Sequence, residues 1–391
     1  MKKQSYLFST IIVLACVLGF HAQASAQIAG VQNNDAAALV NQFLSLSGGA
    51  ITSNETVTQG VCSGTFTGGL GVDSGTNFKI DSGIILSSGA VTGISPPNSS
   101  DDLSVVLNLP GDAFLNSLIP GYTTYDACVL EFDFACPVGS AGSQVAFRYN
   151  FSSEEYNEYV GSDYNDVFGF QLNGTNIALL PGGITPVAIN NVNNGLNAAL
   201  YNDNDYGDFD PGPYPFAIEA DGFVSTLTAT GSANLATNHI KLAIADAGDR
   251  VLDSWVMIEQ GSFECIVQLR IDVKPGSNPN CVNPSSHGVL PVAFFGSQDV
   301  DVTTLIDQSN LTYLGAPVEK CSTEDVDEDG FGDLVCKFRK DQMTGLPQSG
   351  DDCVFVPMSG TFLDGLKWEG LDHICVPGDP TCESGTPVPT P

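Results

Sequence analysis

An all-β fold of two sandwich domains follows from three features of this 391-residue chain. Apolar and polar residues alternate with period two in several stretches. Runs rich in Gly, Asn, Ser and Thr punctuate those stretches as turns do. Basic residues are scarce, with 13 Lys and Arg against 45 Asp and Glu, which leaves little of the charge pairing that decorates surface helices.

Residues 1–26 read as a Sec signal peptide. Lys2 and Lys3 supply the basic start, Leu7 to Phe20 the apolar stretch, and Ala24-Ser25-Ala26 the small residues of a cleavage site. A lipoprotein signal around Cys16 is the rival reading, disfavoured because the apolar run continues past that cysteine. Beyond the signal no apolar stretch reaches the roughly 20 residues that a membrane crossing needs.

Asp35 is placed to cap a short helix carrying Leu39, Val40, Phe43 and Leu44 on one face. Strands follow. Leu130, Phe132 and Phe134 oppose Glu131 and Asp133. Val145, Phe147, Tyr149 and Phe151 repeat the pattern, as do Ile240, Leu242 and Ile244. One wet and one dry face per strand suits an antiparallel sandwich. Residues 27–264 therefore read as a jelly-roll or lectin-like sandwich with that short N-terminal helix. Val267, Leu269, Ile271 and Val273 predict one strand, ended by Lys274-Pro275-Gly276. Gly288–Phe295 and Leu334–Phe338 predict two more, so 267–376 reads as a smaller sandwich. The Pro/Thr-rich stretch 377–391 reads as a tail.

The formal charge of −32 argues against nucleic acid, whose phosphates require Lys and Arg, and against anionic membrane surfaces. It favours divalent cations, which relieve repulsion between clustered carboxylates. Outside the signal the cysteines are 62, 128, 136, 265, 281, 321, 336, 353, 375 and 382, an even set that reads as disulfides in an exported chain. The first four can pair within one domain and the other six within the next; the connectivity is open.

The clearest chemical motif is Asp325-Val-Asp327-Glu-Asp329-Gly330-Phe331-Gly-Asp333. Acids at positions 1, 3, 5 and 9, with Gly at 6 and the Phe331 carbonyl at 7, have the spacing of a calcium loop. Position 12 is Cys336 rather than Glu and a strand follows, so this is no EF-hand. Two further acidic turns lie in the first domain. One holds Glu154, Glu155, Glu158, Asp163, Asn165 and Asp166; the other holds Asp246, Asp249, Arg250 and Asp253. If they meet at one end of the sandwich, Glu154, Glu155, Asn165, Asp166, Asp246 and Asp253 make an oxygen-only site for Ca2+. The bland alternative is that Glu154, Asn165 and Asp253 cap turns through backbone amides, with Arg250 pairing one carboxylate. A weaker run is Asp203, Asp205, Asp208 and Asp210.

The run from Tyr149 to Val192 also resembles the choice-of-anchor L domain family. It carries Ser153-Glu154-Glu155-Tyr156, Tyr164-Asn165-Asp166-Val167-Phe168-Gly169-Phe170 and Pro186-Val187-Ala188-Ile189-Asn190-Asn191. His239–Asp246 and Asp253–Glu259 resemble its closing strands, so the likeness spans about 27–264. It implies an exported bacterial protein and names no activity. The second unit is similar to modules appended to secreted proteins.

There is no HExxH, GxSxG or Walker motif, and His239, His287 and His373 lie in none of the usual catalytic settings. The sequence therefore predicts a non-enzymatic protein of the cell surface or extracellular matrix, stabilised by Ca2+. It would bind an extracellular glycan or surface protein, with Tyr156, Tyr159, Tyr164 or Trp255 stacking on a sugar if they are not core residues. It is expected to contact neither nucleic acid nor the membrane interior. A structural spacer and a carboxylate-based glycoside hydrolase are the alternatives.

Overall fold

A computed structural model describes residues 26–44, 51–136, 143–205, 214–233, 237–348 and 354–376. Residues 1–25 of the predicted signal peptide and the 377–391 tail lie outside them, as do Asp208, Asp210, Cys353 and Cys382.

The first domain begins with β1 (Ala29–Gln32) and helix α1 (Ala36–Leu44). Leu39, Val40, Phe43 and Leu44 are all buried, and Asp35 Oδ1 accepts the Ala38 amide, so the predicted face and cap are both present. Then come β2 (Ile51–Val57), β3 (Ser63–Thr67), β4 (Gly83–Ser87), a second short helix α2 (Ala113–Leu118), β5 (Thr124–Ala135), β6 (Ser143–Ser153) and β7 (Val167–Leu172). The short β8 (Thr175–Asn176), β9 (Val187–Ala188), β10 (Tyr201–Asp203) and β11 (Gly222–Val224) precede β12 (Leu227–Ala233), β13 (Asn238–Ala247) and β14 (Ser254–Glu259).

These strands make two facing sheets. One runs β1-β3-β4-β14-β6, with β11 and β12 on the far side of β6; the other runs β2-β5-β13-β7-β8. The inner faces meet in a core that includes Phe43, Phe132, Phe147, Tyr149, Phe170 and Val256. Edge-to-face rings tie the layers together, with Phe147 and Phe170 centroids 4.1 Å apart. Each outer face is covered only in part, and Glu131, Asp133 and His239 keep the predicted wet side of β5 and β13 partly exposed. Phe66, Phe78, Phe223, Trp255 and Met257 form a second core outside the first sheet, under the long connections. Helix α2 covers the other sheet with Leu115 against Ala243 and Ala245. Disulfides Cys62–Cys128 and Cys136–Cys265 close this domain.

The second unit comprises β15 (Glu264–Leu269), β16 (Ile271–Val273), β17 (Val289–Phe294), the short helix α3 (Val302–Leu305), β18 (Thr312–Tyr313), β19 (Ala316–Glu324), β20 (Asp333–Arg339), β21 (Val354–Thr361) and β22 (Lys367–Ile374). The single strand predicted for 267–273 is divided at Arg270. β15 pairs with β6 of the first sheet and lies parallel to β22, whereas β16 starts a separate sheet, β16-β17-β20-β19-β18. The chain thus changes layer at Arg270, as corner strands of sandwiches do. Val267, Leu269, Ile271 and Val273 nonetheless all face one core, together with Phe294, Phe338 and Trp368. The first sheet, extended through β15, β22 and β21, therefore forms one layer of the second sandwich. Disulfides Cys281–Cys375 and Cys321–Cys336 lie within this unit, and Cys136–Cys265 ties the end of β5 to β15 at the junction of the two.

Candidate metal centres

The Asp-rich motif is the turn of the β19–β20 hairpin. Gly330 takes a φ of 92°, the left-handed conformation its place in the turn requires. One carboxylate oxygen from each of Asp325, Asp327 and Asp333 falls within 4.8 Å of the others, the only such trio of acids among the described residues. Asp333 is fully buried and fixed by the amides of Gly296 and Val326. Asp327 Oδ1 is buried without a hydrogen-bond partner, while its Oδ2 lies 2.9 Å from Arg270. That guanidinium also stacks on Phe295. Carboxylate oxygens this close together, with an unpartnered oxygen on one of the three residues, fit a hard cation. Asp329 is outside the trio, its Oδ1 accepting the Phe331 amide, and the Phe331 side chain is exposed. Cys336, where an EF-hand has Glu, is bonded to Cys321 directly across the hairpin and pins its stem.

In the first domain the two predicted acidic turns do meet. The Glu154 amide donates to the Asp253 carbonyl, and the Asn165 amide to that of Ala247. The six predicted ligands nonetheless divide between the two faces of the sheet. Successive residues of a strand point to opposite sides. Ser153 and Ser254, paired across β6 and β14, face inward. There Ser254 Oγ contacts both Ser153 Oγ and Asp166 Oδ2, and Asp166 Oδ1 accepts the Ala247 amide. Glu155 and Asp246 join this inner group by electrostatic coupling to Asp166. Burial pushes Glu155 up to about 11 and Asp166 up to about 8, and raises Asp246 well above the usual carboxylate range.

Glu154 and Asp253 lie on the outer face. Asp253 is a clamp on the connection beneath β4, accepting the amides of Ala90 and Val105. A Cβ on Gly89 would fall 1.9 Å from its carboxylate, so only glycine fits there. Burial raises Asp253 to about 6. Asn165 Oδ1 accepts the Asn190 amide. Asp253 and Asn165 thus bond backbone amides, as the capping alternative expects, but those of distant segments rather than of their own turns. Arg250 pairs with buried Asp126 at 2.6 Å, as one of the readings of that turn anticipated, although the sequence did not single out Asp126.

Sequence reasoning also missed three buried residues: Glu219 and Asp221, whose charges act on Glu154, and Asn98, which bonds Asp221. Glu219 and Asp221 carried a signal: charges at period two inside the apolar run Ile218–Val224. Asn98 carried none. Of the weaker run, Asp203 Oδ1 accepts the Asp205 amide, and the other two acids lie outside the described residues.

The proposed aromatic platform is corrected. Trp255 and Tyr156 are fully buried, with Trp255 Nε1 donating to the Ala90 carbonyl and the Tyr156 hydroxyl to that of Val192. Only Tyr159 and Tyr164, packed edge to face at 5.5 Å, keep partial exposure. His239 Nδ1 lies 2.8 Å from Asp133 Oδ1 on the outer side of β13. The carboxylates Glu154, Glu155, Asp166, Asp221 and Asp246 are enclosed, and a sugar cannot reach them as a glycosidase pair requires.

Among the described residues no helix is long and apolar enough to cross a membrane. The family model for the choice-of-anchor L domain matches residues 27–264, covering the first sandwich. No curated protein matches the chain.

Proposed function

The chain belongs to the choice-of-anchor L domain family, and from that premise we propose that it is a calcium-stabilised adhesion or binding protein of the cell surface or extracellular matrix. The family implies an exported, surface-associated protein and is not a family of enzymes. The observation that carries the calcium reading is the Asp325, Asp327 and Asp333 trio with its orphaned oxygen. A cation there would bind the folded hairpin and not the unfolded chain, and so stabilise the second sandwich by mass action. Adhesion is supported by the extracellular setting, and by buried acids that serve the interior rather than a substrate. An extracellular glycan or surface protein is the expected partner.

A spacer reading draws on one further observation. β15 carries the first sheet directly into the second sandwich, so the two units share a layer rather than a loose linker.

The test is binding of the mature protein to glycan arrays and intact cells in calcium and in chelator. Binding that chelation abolishes supports adhesion. Self-association with no binding to either favours the spacer, and polysaccharide hydrolysis would contradict both.

A further inference from the structure

The outer-face group at the end of β6 has a chemistry that the rest of the fold does not explain. Gly222 of β11 is paired with Ser153 of β6, and Ser254 of β14 with the same Ser153. One residue further along, Asp221, Glu154 and Asp253 stand in a row across three neighbouring strands. Like charges placed directly opposite on a sheet repel, and burial strengthens the repulsion. Asp253 spends both oxygens on backbone amides. Glu154 and Asp221 do not: Glu154 Oε1 and Asp221 Oδ2 are buried with no hydrogen-bond partner.

No basic side chain relieves them. Every Lys and Arg after residue 25 is among the described residues, and the ion pairs they form go to other acids. A third group points to a ligand independently of the acids. Asn98 is buried, and its Nδ2 donates to Asp221 Oδ1 at 2.7 Å. Its carbonyl oxygen, the other arm of the same amide, therefore stands beside this carboxylate and has no donor of its own. Turning the amide over would set that oxygen against the carboxylate. A buried amide oxygen and two bare carboxylate oxygens accept only hydrogen-bond donors or a cation, and the described residues supply no donors. Glu219, held by the amide and hydroxyl of Ser99, adds a further negative charge nearby.

We propose that Asn98, Glu154 and Asp221 form a buried divalent-cation site, suited to calcium, distinct from the hairpin loop of the second sandwich. All three ligands are oxygens, as calcium prefers, with backbone carbonyls or water completing its shell. Asn98 and Leu103, whose amide donates to Glu154 Oε2, belong to the connection between β4 and α2. The ion would thus fasten that connection over Trp255 and the outer core.

The test is calcium equilibrium dialysis on the mature protein with Asp325→Asn and Asp327→Asn removing the loop ligands. That variant should retain about one equivalent of bound calcium. Adding Asp221→Asn should abolish the remainder, and adding Asn98→Ala should weaken it roughly tenfold. No bound calcium in the loop variant would overturn the proposal, as would an equivalent indifferent to both changes. Should the Asp221 variant not fold, the milder Asn98 variant decides alone. Failure of the loop reading is separable, because wild type and loop variant would then bind equal amounts.

Discussion

Glu154 and Asp221 occupy facing places on adjacent antiparallel strands, one residue beyond the Ser153–Gly222 pair, and both are buried. Burial and the Asp221 charge hold Glu154 well above its ordinary range, and burial, with the charges of Glu158, Asp205 and Asp101, lifts Asp221 to about 9. Without a cation at least one must take up a proton at neutral pH. Glu154→Gln removes that cost and should raise the melting temperature of the chelator-treated protein by a few degrees, since about 1 kcal/mol shifts a domain of this size by roughly 2–4 °C. In calcium the same variant should melt lower than wild type. Equal melting in both conditions would contradict a cation at this place.

The inner group sets a pH dependence. Asp166 is raised by burial to about 8, with Glu155, Asp246, Asp249 and Asp253 the charged groups around it. A carboxyl whose folded pKa exceeds its unfolded one stabilises at low pH, and that contribution fades as pH rises toward the folded value. In chelator, stability should therefore decline from about pH 4 to about pH 8. Asp166→Asn keeps the acceptor for the Ala247 amide and should flatten part of that decline. Melting curves across the range read it directly, and a profile unchanged by the substitution would count against the assignment.

Replacing Cys321 and Cys336 together by Ser opens the stem of the Asp-rich hairpin. Closing a loop of this size is worth about 3 kcal/mol. The second sandwich should unfold at lower denaturant, and calcium should bind the loop more weakly because its ends are no longer held. Calorimetric titration with the folded variant checks the second effect.

Arg270 competes with any cation for Asp327 Oδ2. Arg270→Ala should therefore tighten calcium binding at the loop several-fold. Weaker binding would mean that the stack of Arg270 on Phe295 positions the loop instead.

Much of the fold was legible because period-two burial is a local property. The strand at Leu130–Phe134 and helix α1, with its Asp35 cap, are as the residues specify. The hairpin loop was legible for the same reason, since Asp325 to Asp333 is one contiguous turn. The break at Arg270 was hidden. Val267, Leu269, Ile271 and Val273 keep their alternation across it because both halves face a common core from different layers. Strand alternation, not applied to the acidic run, accounts for the separation of Glu154 from Glu155. The nearness of Asn98 and Asp221 was not legible at all, because it depends on strand pairing between distant segments.

Calcium dependence of stability is the central claim, and a thermal melt of the mature protein tests it most directly, first in calcium and then in excess chelator. The account predicts a clear fall in melting temperature on chelation, reversed when calcium is restored and reduced in the Asp325→Asn, Asp327→Asn variant. An identical melt in both conditions would contradict it, and would leave the acids as protonated or solvated parts of a disulfide-held sandwich.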